Sequence, residues 1–313
     1  MESTRTDIFS PLKTSSSKIR DQSSHSRSCR NSKPSITSVE GNPYSVPKKQ
    51  NIRIMTVNCR SIKDKSQELT LAIDYLKPDV ICGTESWLKG IKPGKNPSHD
   101  AIKSSEVFPP NFNVYRNDRG TLGGGVFILV EKSIVSEERT DLITNCEIEW
   151  VKMKTDKNKD MLISSFYMPQ RNKKDLDELS ISLEKASVST SKKNIILAGD
   201  FNCPDIERNN MSIKNGNDRD IQQQLIIDIA NSSGLSQIHD QPTRGDNLLD
   251  LVFTANPSFI KSSVSVPGIS DHAIVITDLE TKPHYQKNSK QKNIYLLKSK
   301  LGKLESVIKK SGK

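Results

Sequence analysis

Residues 194–206 read NIILAGDFNCPDI. Four apolar residues at 195–198 make a burst of strand length, Gly199 turns the chain, and Asp200 and Asn202 follow on either side of Phe201. In an extended chain, residues two apart point to one face, so an acid and an amide would emerge side by side. A strand ending in that pair is a platform for a metal or a phosphate. It is equally the signature of a strand closed by an Asx-type turn, and other segments have to decide between the two.

Composition limits the choices. The chain has 313 residues, 33% of them hydrophobic, so part of its length lies outside any packed core. Residues 1–50 are rich in Ser, Pro, Asn and Lys/Arg without apolar periodicity and read as a disordered basic tail. Residues 282–313 read as a second, Lys-rich tail with a weak amphipathic trace near 296–308, mostly disordered or the start of a linker. Between them, residues 51–281 are expected to form one domain. The net charge of +10 divides as +5 in 1–50, −4 in 51–281 and +9 in 282–313. The basicity thus belongs to the tails, and the middle concentrates carboxylates that a cation would neutralise. Nothing resembles a signal peptide or a membrane span. The five cysteines include no CxxC pair, which argues against zinc or a disulfide framework and for a reducing compartment.

Within the middle region, residues 51–58 (NIRIMTVN) alternate as a strand ending at Asn58, and 67–76 carry Leu69, Ile73 and Leu76 at helical spacing before Pro78. A short buried strand at 79–83 delivers Thr84 and Glu85, and 89–107 reads as a loop. A Gly123-Gly124-Gly125 turn leads into a strand at 126–130, and consecutive strands are expected at 148–153 and 161–167, the second ending at Tyr167. Helices are expected at 174–187 and 220–232, with strands at 248–254, 264–266 and 273–279. Strands dominate and helices fall irregularly among them, which fits a mixed α/β sandwich better than a regular βαβ repeat. There is no internal sequence repeat.

Polar residues with catalytic capacity recur at the strand boundaries: Asn58, Glu85, Tyr167, Asp200, Asn202, Asp250, Asp271 and His272. Any one of them is an ordinary strand-end residue. Together they supply hard oxygen ligands of the kind Mg²⁺ takes, and Asp250, inside an apolar strand, requires a partner for which His272 is suited.

The ordered segments TVNCRS, GTESWL, RGTLGGGVFILV, FYMPQ, LAGDFNCP, TRGDNLLDLVFT and ISDHAIV resemble the endonuclease/exonuclease/phosphatase superfamily. More narrowly, they are similar to the apurinic-like endonuclease domains of non-LTR retrotransposons of the Jockey and CR1 type. The resemblance covers about 51–279 and implies an α/β fold, a four-layer α/β sandwich of two mixed β-sheets flanked by helices. It also implies residue roles. Asn58, Glu85 and Asp271 match metal-site positions, Glu85 being the main carboxylate ligand. Tyr167 matches the contact to the scissile phosphate, and Asp200 and Asn202 the pair that positions water and phosphate. Asp250 matches the residue that orients His272. Thr243 and Ser270 correspond to supporting positions, while Arg60 and Arg116 are candidate DNA contacts. Arg60 stands where the superfamily's repair enzymes carry an acid.

The function so implied is a Mg²⁺-dependent DNA endonuclease, with Mn²⁺ as a substitute metal. It would leave a 3′-hydroxyl nick, as in target-primed retrotransposition, and act on nuclear DNA without a membrane. Two alternatives stand beside it: a phosphatase or phosphodiesterase of the superfamily acting on a non-DNA substrate, and an inactive truncated copy that only binds nucleic acid. No YADD-like reverse-transcriptase motif is present, so the chain reads as a fragment, a truncated copy or a stand-alone product. Loops at 89–107 and 207–218 are the candidates for reading target shape.

Overall fold

In the computed structural model, the described residues are 51–121, 123–156, 159–169, 173–189, 194–206, 213 and 220–286. The expected tails at 1–50 and 287–313, and all but Ile213 of the loop at 207–218, lie outside them.

Among the described residues, twelve strands form two six-stranded sheets. The first sheet contains β1 (Arg53–Asn58), β2 (Val80–Thr84), β3 (Phe112–Asn117), β4 (Val126–Glu131), β11 (Ile260–Val266) and β12 (Ile274–Leu279), in the order β11-β12-β1-β2-β4-β3. The second contains β5 (Ser136–Glu138), β6 (Glu147–Lys154), β7 (Asp160–Tyr167), β8 (Ile195–Asp200), β9 (Ser236–Gln237) and β10 (Asp250–Thr254), in the order β5-β6-β7-β8-β10-β9. Each sheet has one parallel pair, β1 with β2 and β7 with β8, and all its other pairings are antiparallel. Each parallel pair is joined through a helix, α1 (Ser66–Leu76) or α3 (Lys173–Ser189), as a parallel crossover demands. The short α2 (Ser104–Val107) ends the loop expected at 89–107, and α4 (Asp220–Ser232) follows β8.

Three apolar layers separate four layers of structure. Ile54, Cys82, Ile163, Ile196 and Val252 fill the space between the sheets. Met55 and Val57 face the other way, onto Leu69 and Ile73 of α1. Ile195 and Leu197 likewise meet Leu179 and Leu183 of α3 and Ile226 of α4. Both faces of β8 are therefore buried, which is why its sequence is an unbroken apolar run instead of an alternation. The helix α1 ends on Lys77 in the left-handed region (φ 52°), whose N–H closes onto the Ile73 carbonyl just before Pro78.

Two boundaries differ from the sequence reading. The chain does not turn at Gly199. The strand runs through it to Asp200, because Gly199 adopts φ 144° and any Cβ there would lie 1.9 Å from the Phe166 carbonyl oxygen. Residues 282–286, assigned to the tail from sequence, continue the packed region: Pro283 bridges Thr155, Tyr285 bridges Ile134, and Tyr285 packs against the inter-sheet core.

Candidate active site

The pairing register explains why polar residues collect at one edge. Glu147 pairs with Tyr167, Tyr167 with Asp200, and Asp200 with Asp250, making a single row across β6, β7, β8 and β10. Laterally paired residues share a face, and here it is the face that carries Ile163, Ile196 and Val252 between the sheets. At its end the apolar core thus changes within one row to acids and a phenol. The opposing sheet ends β1 and β2 on the paired residues Asn58 and Thr84, and Glu85 follows.

Aromatic packing sets the height of the row. Phe201 is fully buried, with ring centroids 5.0 Å from Phe166 and 5.3 Å from Phe253, and so anchors the chain directly after Asp200. The turn that follows is the Asx turn: Asn202 N–H donates to Asp200 Oδ1 at 2.9 Å, with Asn202 at φ 50°. The Asx-turn reading of this stretch is therefore true of it. Asn202 leaves strand geometry, and its Nδ2 donates to the Met168 carbonyl (3.0 Å) and to Asp200 Oδ2 (3.3 Å).

Asp200 is wholly buried. Burial, reinforced by the Asp250 charge, pushes its carboxyl up to about 8 against the opposing influence of His272, the Asn202 N–H and Asn58. Asp250 Oδ2 meets His272 Nδ1 at 2.8 Å, both side chains being almost completely buried. Burial works against a charged imidazole, but the hydrogen bond and charge of Asp250, with Asp200 and Asp271, outweigh it and raise His272 above its usual range. The hydroxyl of Tyr167 is bonded to Glu85, and burial together with the Glu85 and Asp200 charges pushes it well above the ordinary phenol range.

The supporting positions work through the backbone. Thr243 Oγ1 accepts the N–H groups of both Leu249 and Asp250 at 3.1 Å, and its carbonyl accepts the Ala273 N–H at 2.6 Å. It thereby ties the start of β10 to the start of β12 and brings Asp250 to His272. Ser270 Oγ donates to the Asn58 carbonyl (2.7 Å) and accepts the His272 N–H (3.1 Å), joining β1 to the same turn.

Three of the expected residues have protein partners in the structure. Asn58 Nδ2 donates to Glu85 Oε1 (3.0 Å) and Asp200 Oδ2 (2.8 Å), while Oδ1 accepts the Arg60 N–H. It bridges two carboxylates. Asp271, also expected at the metal, is held by Arg60 (3.1 Å) and Arg244 (2.6 Å). Partial burial pushes its carboxyl up, but Arg244, Arg60 and His272 hold it below the usual range, so cations already neutralise it. Arg116, expected to contact DNA, is 2% exposed and spends its guanidinium on Asp118, the Ile102 carbonyl and Ser104. Arg60 itself remains at the surface, its side chain 57% exposed.

Backbone strain marks the same edge. Six described non-glycine residues have positive φ; Lys77 caps α1, and the other five are Arg60, Ser61, Glu85, Trp87 and Asn202. Such conformations persist only where the surroundings impose them, and they cluster at functional sites. Sequence reading missed Trp87, whose Nε1 donates to Glu85 Oε2 at 3.2 Å, together with Arg119, Arg244 and Glu147. The first three lie inside the motifs already quoted, but no local signal showed what they touch.

A divalent cation fits this donor set. Asp200, Asp250 and His272 bring ligand atoms within 4.8 Å of one another, and Asp250 Oδ1 is buried without a hydrogen-bond partner. Glu85, half-buried, adds a carboxylate on the open side.

Comparison with known proteins gives the same picture. Residues 161–276 match the family model described as endonuclease-reverse transcriptase. Over that stretch the chain is similar to endonucleases of the endonuclease/exonuclease/phosphatase type. Solved structures of similar fold include the endonuclease domain of TRAS1, a telomere-specific non-LTR retrotransposon, at 17% identity and TM-score 0.56, covering 73% of this chain and 98% of that one. The AP endonuclease LMAP from Leishmania major has 12% identity and TM-score 0.58, covering 75% and 88%. The APE2 catalytic domain from Xenopus laevis has 14% identity and TM-score 0.51, covering 76% and 94%. No curated protein matches the chain. The two mixed sheets with helices outside are the four-layer sandwich expected from sequence.

Proposed function

We propose that this protein is a Mg²⁺-dependent endonuclease that hydrolyses a DNA phosphodiester and leaves a 3′-hydroxyl. The observation that carries the reading is the convergence of Asp200, the Asp250–His272 pair, Tyr167, Asn58 and Glu85 at one edge of the two sheets. These are an acceptor for a water proton, donors for phosphoryl oxygens and an open carboxylate.

Asp200 is the group that holds the attacking water and takes its proton, since Asn58 and the Asn202 N–H fix its carboxylate. The raised proton affinity of His272 makes it a donor to a non-bridging oxygen, with Asp250 on Nδ1 leaving Nε2 for the substrate. Tyr167, held in its protonated form, is a second donor to the phosphate. Asn202 buttresses Asp200 and lies beside the phosphate position. A divalent ion held through Glu85 would supply neutralisation of the developing charge and of the leaving 3′-oxygen. Each turnover adds one water across the P–O3′ bond.

The similarity to a retrotransposon endonuclease domain supports a role in nicking a target strand to prime reverse transcription, which would place the protein at nuclear DNA. No described helix is long and apolar enough to cross a membrane. The test is supercoiled plasmid with the full chain and Mg²⁺. Open-circle product extendable by a polymerase is expected, and is lost in Asp200→Ala, Glu85→Ala and His272→Ala. Nicking unchanged in all three variants would mean that another protein made it.

A further inference from the structure

Beyond Tyr167 the site opens into a cleft of about 670 Å³ whose walls include Lys92, Lys95, Asn117, Arg119, Thr144 and Asn145. Tyr167 and Glu147, two members of the row that ends in Asp200 and Asp250, also line it, so the cleft is continuous with the catalytic edge. Its electrostatics are built. Glu147 Oε1 accepts from Arg119 Nε at 2.5 Å, and its Oε2 accepts the Gly125 N–H at 2.6 Å, so this acid is already spent on structure. Glu147 holds the Arg119 guanidinium 5.6 Å from the centre of the Tyr167 ring. The backbone makes room for the arrangement: a Cβ on Gly124 would lie 2.4 Å from Arg119 Cζ and 2.5 Å from Glu147 Oε2, and Gly124 adopts φ 64°.

The opposite wall is a loop clamped in place. The almost fully buried Arg116–Asp118 pair reaches into it at both ends, Arg116 donating to the Ile102 carbonyl and Asp118 accepting the Ile91 N–H. Lys92 Nζ donates to Asn117 Oδ1 at 2.9 Å, which sets its ammonium in the cleft with Lys95 one turn further along. Burying an ion pair does little for stability compared with a well-packed apolar pair. Holding a loop of lysines in register beside a phosphodiester site is a different use for it.

We infer that this cleft is a second subsite for the nucleic-acid strand, taking a backbone phosphate flanking the scissile one against Lys92, Lys95 and Arg119. The inference rests on the proposed hydrolase reading and deepens it. Arg119 is the anchor, fixed by Glu147; Lys92 and Lys95 are point charges on the clamped loop. The size suits a nucleotide, within the range of ordinary small-ligand clefts.

The test compares the full-length protein, a Lys92→Ala/Lys95→Ala variant, a Lys92→Arg/Lys95→Arg variant and a Lys132→Ala/Lys261→Ala control on exposed positions at the ends of β4 and β11 away from the site. Nicking of a labelled duplex and fluorescence anisotropy in chelator are both read across a salt series. Loss of the one phosphate that this cleft takes flattens the plot of log affinity against log salt by about 0.9, the figure expected per phosphate. It should also raise KM about tenfold or more, with kcat within twofold. The arginine variant should keep the wild-type slope, and the control should flatten it by less than half as much. If the wild type nicks and the alanine variant matches the control, the subsite is wrong and the hydrolase reading stands. If the wild type does not nick, the hydrolase reading fails. The anisotropy slopes then judge the cleft alone: a selective flattening supports it, and equal slopes overturn it.

Discussion

The two sheets are wired alike. Reading β11-β12-β1-β2-β4-β3 against β5-β6-β7-β8-β10-β9, each has a hairpin, a parallel pair crossed by a helix, and a second antiparallel pair. The corresponding strand ends are chemically different. In the second sheet, β8 ends on an acid within the strand itself, so Asp200 lies in the register row, fully buried and bonded on both oxygens. In the first, β2 ends on Thr84, and the acid comes one residue later as Glu85 in a strained conformation and half-buried. Desolvation raises the proton affinity of the first acid, while the open second one suits a hydrated cation. In the mechanism we propose, one architecture, with its acid displaced by a single residue, provides both a proton acceptor and a cation ligand.

The comparison breaks most directly at the two acids. Asp200→Asn should lower kcat by roughly a thousandfold or more, with no recovery at higher Mg²⁺. Glu85→Gln should lose roughly a hundredfold or more at low Mg²⁺ and regain much of it as Mg²⁺ rises. Equal Mg²⁺ dependence of the two variants would erase the division of labour. Asp250→Asn should cost roughly a hundredfold to ten-thousandfold in kcat and move the alkaline limb of the pH–rate profile downward, because it removes the groups that raise His272. An unmoved limb would show that His272 does not need Asp250.

Burial of Asp200 also has a thermodynamic consequence. Its folded-state proton affinity exceeds that of the unfolded chain, so the native state binds the extra proton. The stabilisation is complete below the ordinary carboxylate range and is lost as pH rises towards about 8. His272, also raised, acts in the same direction above its ordinary value. In chelator, the melting temperature should fall between pH 5 and 8.5, and Asp200→Asn should remove most of that fall. A rise with pH would contradict the burial argument.

Smaller effects sharpen the frame. Thr243→Val leaves the buried N–H groups of Leu249 and Asp250 without their acceptor and should cost about 1–3 kcal/mol, read as a lower denaturation midpoint. Glu149 lies two residues along β6 from Glu147, fully buried, with Oε2 unpartnered, and burial raises its carboxyl well above the usual range. Its neutral form is the stable one, so Glu149→Gln should be nearly silent near pH 4 and raise the denaturation midpoint at pH 8. A loss at pH 8 would mean that its charge is used.

Local pattern carries far in this chain because strands buried on both faces leave unmistakable apolar runs. Residues 195–198 and 126–130, and the helical spacing of Leu69 and Ile73, all lie in the expected elements. The short β5 and β9 were not legible, since strands of three and two residues take their identity from neighbours. Candidate residues were legible as types at strand ends, but their roles were not. Arg116 and Arg60 look alike in sequence, yet one is buried on Asp118 and the other lies exposed against Asp271. No local signal showed that Asn58 would lie between two acids, its Nδ2 on Glu85 and Asp200 and its oxygen on the Arg60 N–H.

Sequence by itself determined the longer strands, the helices and the inventory of acids, amides, phenol and imidazole, because periodicity and residue chemistry are local. Tertiary structure alone decided that Glu147, Tyr167, Asp200 and Asp250 share one row, that Glu85 reaches it from the opposing sheet, and which acid is dry. Register, face and desolvation come into being only when two sheets close on one another.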